Sequence, residues 1–205
     1  MKTDISLSIE DRIIAGVTRR GRGCVFFGED FLPFGSPEAV RQALSRLARA
    51  GTIRRIGMGL YHFPVINEKL GGELPPSMDT VARAVARRSG SRIVATGAQA
   101  ANLLGLSTQV PAKPIYLTDG ASRSVAIGNY SIVFRHAGPR RMGVKNDISV
   151  LVFEALRYIG RANVDDQVVA QLQQSLPADA KAELSRDRHR ASIWMRPIVQ
   201  RITEE

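Results

Sequence analysis

The stretch Gly23–Pro64, GCVFFGEDFLPFGSPEAVRQALSRLARAGTIRRIGMGLYHFP, decides how the chain is read. Its centre is a helix that marks both of its own ends. Ser36 is a favourable N-cap, Pro37 occupies the first helical position where a missing N–H costs nothing, and Gly51 follows the last periodic residue. The pattern therefore predicts a helix over 37–50. Val40, Ala43, Leu44 and Leu47 recur at helical spacing and form a core-facing stripe. Arg41, Gln42, Ser45, Arg46 and Arg49 project from the rest of the circumference. Guanidinium groups grip phosphates or pair bidentately with guanine, and a Gln amide does the same with adenine, so the polar face suits a major groove.

A cationic face alone describes many solvated surface helices, and the neighbouring segments carry the argument further. Thr52–Ile56 and Leu60–Phe63 are short β-type runs joined by Gly57-Met58-Gly59, so the helix is expected to feed a hairpin bearing Arg54 and Arg55. Upstream, Ile9, Ile13, Ile14 and Val17 make an apolar stripe over 8–20, and Glu29-Asp30-Phe31-Leu32 opens a short helix that ends near Gly35. Helix, short strand, short helix, basic helix and basic hairpin is the order of a winged helix-turn-helix. Ser36, Arg41, Gln42, Ser45, Arg46, Arg49, Arg54 and Arg55 are then the expected DNA-contacting residues.

The charge balance points the same way. The chain carries 29 Lys and Arg against 19 Asp and Glu, a formal net charge of +10, which favours a polyanionic or acidic partner. Residues 1–64 hold 10 basic and 6 acidic residues, residues 65–160 hold 12 and 6, and residues 161–205 hold 7 and 7, so the excess lies in the first two segments. No apolar core of a signal peptide follows Met1-Lys2-Thr3-Asp4, and no run approaches the roughly 20 apolar residues of a membrane span, so a cytoplasmic protein is expected. Cys24 is the only cysteine, which excludes an intramolecular disulfide and a Cys-based zinc site; it reads as a small buried strand residue.

Gly71-Gly72-Glu73-Leu74-Pro75-Pro76-Ser77 interrupts the periodicity, so 1–67 reads as one domain, 68–77 as a linker, 78–160 as an α+β domain and 161–205 as a helical C-terminal extension. The second domain is expected to contain helices at 78–88, 97–104 and 147–159. Strands are expected at 92–95, 114–118, 124–127 and 130–135, with a Gly128-Asn129 turn between the last two. Helical stretches are expected at 165–174, 179–184 and 191–202, with Trp194 and Met195 packing the tail. The expected fold class is thus α+β, a winged helix-turn-helix followed by a mixed α/β domain and a helical tail.

Two strings carry a family resemblance: FGEDFLPFGSPEAVRQALSRLARAG with TIRRIGMGLYHFP, and GAQAANLLGLSTQVPAKPIYLTDGASRSV. The first resembles the N-terminal wing domain of AbiEi-type antitoxins and the second resembles their second domain; together they span most of 6–140. The resemblance implies a winged helix that binds the promoter of its own operon on double-stranded DNA. It also implies a second domain that helps neutralise a nucleotidyltransferase-like toxin. Arg83, Arg87 and Arg88 on one helix, and Arg140, Arg141 and Lys145 after the third strand of the second domain, would extend the DNA footprint, dock an acidic toxin surface, or remain solvated.

Enzyme chemistry finds no foothold in the sequence. Gly90-Ser91 is not followed by the paired carboxylates that nucleotidyl transfer needs, and Asp165-Asp166 would point to opposite faces of a strand. Asp119 reads as a turn residue beside Gly120, and His62, His136 and His189 lie near no nucleophile elbow; His62 is expected on the hairpin surface. Neither Gly21-Arg22-Gly23 nor Gly57-Met58-Gly59 has the setting of a phosphate loop. No catalytic residue, cofactor or metal is expected. The alternative from another class is a ligand-sensing winged-helix regulator without a toxin partner, against which an aromatic content of only 6% weighs.

Overall fold

A computed structural model describes residues 7–128, 130–142 and 147–204, with the backbone alone at Leu70 and Arg140. The chain is α+β and divides into two compact units, Met1–Arg88 and Ser89–Glu205.

The first unit opens with α1 (Ile9–Arg20), started by a capping box in which Ser8 Oγ accepts from the Asp11 N–H while the Asp11 carboxylate accepts from the Ser8 N–H. Strand β1 (Val25–Phe27) leads into a 3-10 turn, Gly28–Phe34, and then into α2 (Pro37–Arg49), where Ser36 Oγ accepts from the Ala39 N–H. A hairpin follows, β2 (Arg54–Gly57) and β3 (Leu60–His62). The three strands form an antiparallel sheet in the order β1-β3-β2, with a bulge between Arg55 and Gly57.

Ile13 and Val17 of α1, Val40, Leu44 and Leu47 of α2, and Phe26, Phe31, Ile53 and Tyr61 build the core of this unit. Phe26 is its hub. Its ring meets Phe31 edge-on at 5.4 Å and stacks on Tyr61 at 5.9 Å, and aromatic pairs at such separations stabilise beyond their burial.

Several features of the first unit depart from the expectations. Helix α2 ends at Arg49, and 52–53 do not join the strand: the N–H groups of Thr52 and Ile53 both donate to the Leu47 carbonyl, satisfying an otherwise orphaned helix end while Ile53 drops into the core. His62 is not on the hairpin surface but 2% exposed, because β3 is the central strand with a neighbour on each side.

The expected linker 68–77 is largely ordered. β4 (Val65–Asn67) and β5 (Gly72–Leu74) pair as a hairpin turned by Gly71 at a φ of +78°. The helix expected to begin the second domain, α3 (Met78–Arg88), instead belongs to the first unit, where it packs on β1. Arg87 Nη2 donates to the Val25 carbonyl at 3.0 Å, and Arg88 pairs with Glu29 at 2.6 Å. Cys24 sits just before β1 and is half-buried, its thiol directed at the Val17 carbonyl.

The second unit is built on a four-stranded sheet of order β6-β7-β9-β8: β6 (Ile93–Ala95), β7 (Ile115–Thr118), β8 (Arg123–Ile127) and β9 (Tyr130–His136). β7 and β9 run parallel and the other neighbours antiparallel. Gly128 takes the left-handed conformation the expected turn needs, whereas Asn129 lies outside the described residues. Helix α4 (Gly97–Leu103) packs on the long α6 (Asp147–Ile159); between β9 and α6 lies the short α5 (Pro139–Met142). Val94, Leu117, Ala137, Met142 and Val150 close the core between β6, β7 and α6.

The tail folds onto this unit as α7 (Asp166–Ser175), α8 (Ala178–Asp187) and α9 (Arg196–Thr203). The helix expected over 191–202 begins only at Arg196, since Pro197 is tolerated in a first turn but not in a helix interior. Met195 is fully buried and Trp194 half-buried. Among the described residues no helix is long and apolar enough to cross a membrane.

Candidate nucleic-acid interface

The polar face of α2 does not stand alone. Between α2, the 3-10 turn and the hairpin lies a groove of about 840 Å³, walled on one side by Arg41, Gln42, Ser45 and Arg49 and on the other by Arg55. Val40, Leu44, Leu32 and Tyr61 contribute its apolar floor. Glu29 is the one carboxylate among its lining residues, and Arg88, stacked over Phe27 at 4.6 Å, neutralises it. Arg41, Gln42, Arg49 and Arg55 are exposed. The side chains of Arg41 and Arg49 form no ion pair with a described carboxylate, and Arg55 Nε donates only to the Gly57 carbonyl, at 3.4 Å. Their charge is therefore available to an external anion.

Five of the eight expected contact residues meet in this groove; three do not. Ser36 is occupied as the N-cap of α2. Arg46 leaves the opposite edge of α2 and pairs with Glu10 of α1 at 2.9 Å. Arg54 and Arg55 alternate across the sheet as strand neighbours must, so Arg54 points away from the groove and holds Glu73 of β5 through two bonds of 2.6 Å. At the hairpin tip Met58 is 91% exposed.

The other expected cations are also engaged. Arg83 pairs with Asp79 at 2.7 Å, while Arg87 and Arg88 fasten α3 to the strand and turn beneath it. Arg141 holds the buried Glu154 carboxylate through bidentate bonds, and Arg157 pairs with the same group. These contacts fix α5 on α6 and satisfy a charge that burial would otherwise penalise. Of Arg140 only the backbone is described, and Lys145 lies outside the described residues.

Glu29, Leu32 and Tyr61 were not legible as groove residues in the sequence. Their only signal was the glycine on each neighbouring turn, Gly28 and Gly59, whose backbones approach closely enough for the Gly28 N–H to donate to the Gly59 carbonyl at 3.1 Å. Burial holds the His62 imidazole below its ordinary value, with Glu73 pulling the other way. Asp119 accepts from the Arg92 N–H at 2.8 Å, a turn-stabilising bond. Among the described residues no three His, Cys, Asp or Glu side chains gather into a metal-binding group.

Residues 12–184 match the family of unknown function DUF6088, and the chain belongs to that family. No curated protein matches it. Among solved structures the chain is similar to the RV2827C protein from Mycobacterium tuberculosis, at 16% identity and a TM-score of 0.46, with 95% of this chain and 80% of that one covered.

Proposed function

We propose that this chain is a duplex-DNA-binding protein whose first unit acts as a winged helix, with α2 in a major groove and the β2–β3 hairpin as the wing. One observation carries the reading: Arg41, Gln42, Ser45 and Arg49 of α2 converge with Arg55 of the hairpin on a single open groove, and its one carboxylate is neutralised by Arg88. A helix that offers guanidinium and amide groups beside a basic hairpin has both the base-reading and the phosphate-gripping donors that duplex recognition requires. Arg41→Ala or Gln42→Ala should lower discrimination between the upstream promoter and random duplex by about 1–3 kcal/mol. Fluorescence anisotropy on the two duplexes measures this, and unchanged discrimination in both variants removes α2 as the reading element.

The resemblance to AbiEi-type antitoxins extends the proposal to a biological role, in which the chain represses its own operon and neutralises a nucleotidyltransferase-like toxin. Coexpression with the adjacent gene tests that part separately. Growth arrest by that gene alone, relieved by this chain, supports it, and a harmless neighbour overturns it.

A further inference from the structure

A second cavity of the first unit lies apart from the α2 groove and shares none of its lining residues. It is a cleft of about 410 Å³ between the end of α1, the start of β1 and one face of α3, lined by Arg20, Cys24, Val25, Thr80, Arg83 and Arg87. Positions 80, 83 and 87 recur at helical spacing, so α3 presents a hydroxyl and two guanidinium groups to the same space. Among the described residues no acidic side chain lines it. Asp30 and Asp79 pair with Arg20 and Arg83, each at 2.7 Å, which balances two of the three charges. Arg87 donates to a neutral acceptor, the Val25 carbonyl, and meets no described carboxylate, so one positive charge in the cleft is uncompensated.

We infer that this cleft binds a phosphate oxyanion. A tetrahedral anion supplies the countercharge that Arg87 does not meet in the cleft, and the Thr80 hydroxyl, which shares a 2.8 Å hydrogen bond with the Ser77 hydroxyl, can accept from Ser77 while donating to the anion; charge-assisted bonds to such groups are the strong ones. Burial pushes the Cys24 thiol up from its ordinary value, while Arg20 and Arg87 pull it down, so both guanidinium charges are felt at the thiol on the cleft wall. The anion would be either free phosphate or a backbone phosphate of a duplex. The chemistry is the same for both, and the inference stands without the α2 groove.

Cys24 is the only cysteine of the chain and lines the cleft, so it reports occupancy directly. In the full-length protein, the rate of Cys24 alkylation by iodoacetamide is followed against inorganic phosphate, against a short random-sequence duplex, and against chloride at matched ionic strength. A bound oxyanion both blocks approach and disfavours the thiolate, so either phosphate source should slow labelling severalfold and saturably, beyond the effect of chloride. Arg87→Gln and Thr80→Val should each weaken that protection, and Arg87→Lys should retain part of it. The Thr80 variant leaves the Arg87 bond to β1 intact and so reads the site even if Arg87→Gln loosens α3. Protection by phosphate alone assigns a free oxyanion, and protection by the duplex as well assigns the nucleic-acid backbone; both uphold the inference. Labelling that responds to phosphate and duplex no more than to chloride overturns it, as does equal protection in wild type and both variants. A protein that binds no DNA but is protected by phosphate separates the failure of the DNA-binding reading from that of this one.

Discussion

Arg54 and Arg55 are adjacent in sequence and stand on opposite faces of β2. Arg55 borders the α2 groove, whereas Arg54 is engaged with Glu73. Arg55→Ala should therefore weaken binding to specific and random duplex alike and reduce the magnitude of the salt slope by about 1, the signature of one lost phosphate contact. Arg54→Ala should leave that slope unchanged and cost at most about 1 kcal/mol of stability, as expected for a partly exposed ion pair. Anisotropy salt series and urea melts on the two variants make the comparison, and a larger slope change in Arg54→Ala would invert the assignment of faces. His62 gives the residue scale a pH dependence. Burial lowers its imidazole below the ordinary 6.5, so as pH falls past that value the unfolded chain takes up the proton before the folded one does. The stability His62 contributes is thus present above 6.5 and is lost as pH falls through the lowered folded value. Urea midpoints on either side of that window should drop on acidification, and a His62→Gln protein should lose that part of the drop. A midpoint that rises instead would contradict the buried position of the ring.

At the scale of elements, the sequence was most legible where local chemistry decides. The Ser36–Pro37 start of α2, the α3 boundaries and the 147–159 helix all stand where capping, proline and apolar periodicity put them. It was least legible where a distant partner decides. Leu60-Tyr61-His62 reads as one arm of a two-stranded hairpin, and nothing local reveals that β1, more than thirty residues earlier, pairs with its other edge and buries His62. Gly71-Gly72 and Pro75-Pro76 read as a linker, yet Gly71 turns the β4–β5 hairpin, and Glu73 on that hairpin reaches Arg54. The groove followed the same division: the residues of α2 were readable from helical spacing, while Leu32 and Tyr61 enter it only through tertiary packing. These elements shift the boundary of the smallest fragment expected to bind duplex under the proposed function. A fragment of residues 1–88 keeps β5 and α3 and should fold cooperatively and retain duplex binding. One ending at Asn67 loses the partner of Arg54 and the helix fastened to Val25, and should be less stable. Thermal melts followed by circular dichroism compare the two, and equal stability would show that α3 adds nothing to the first unit.

At the scale of the whole molecule, the net charge of +10 acquires a location. Internal ion pairs leave that excess unchanged but occupy individual cations among the 29 Lys and Arg: Arg46, Arg54, Arg83, Arg88 and Arg141 each hold a carboxylate of their own unit. Of the first unit's cations that meet no described carboxylate, Arg41, Arg49 and Arg55 share one groove and Arg87 lines another. The raw count of Lys and Arg therefore overstates how many phosphates the protein can meet, and the count that matters is that of cations without a carboxylate partner on one surface. In the proposed function this groove grips duplex DNA through those cations. The most direct test is the affinity of the full chain for the duplex upstream of its own gene, measured by anisotropy across a salt series. The expected result is tight binding at low salt that falls linearly on a log–log plot, with a slope of about −2 to −3 for the two or three phosphates that Arg41, Arg49 and Arg55 would neutralise. A flat line, or no binding at the lowest salt, would contradict it.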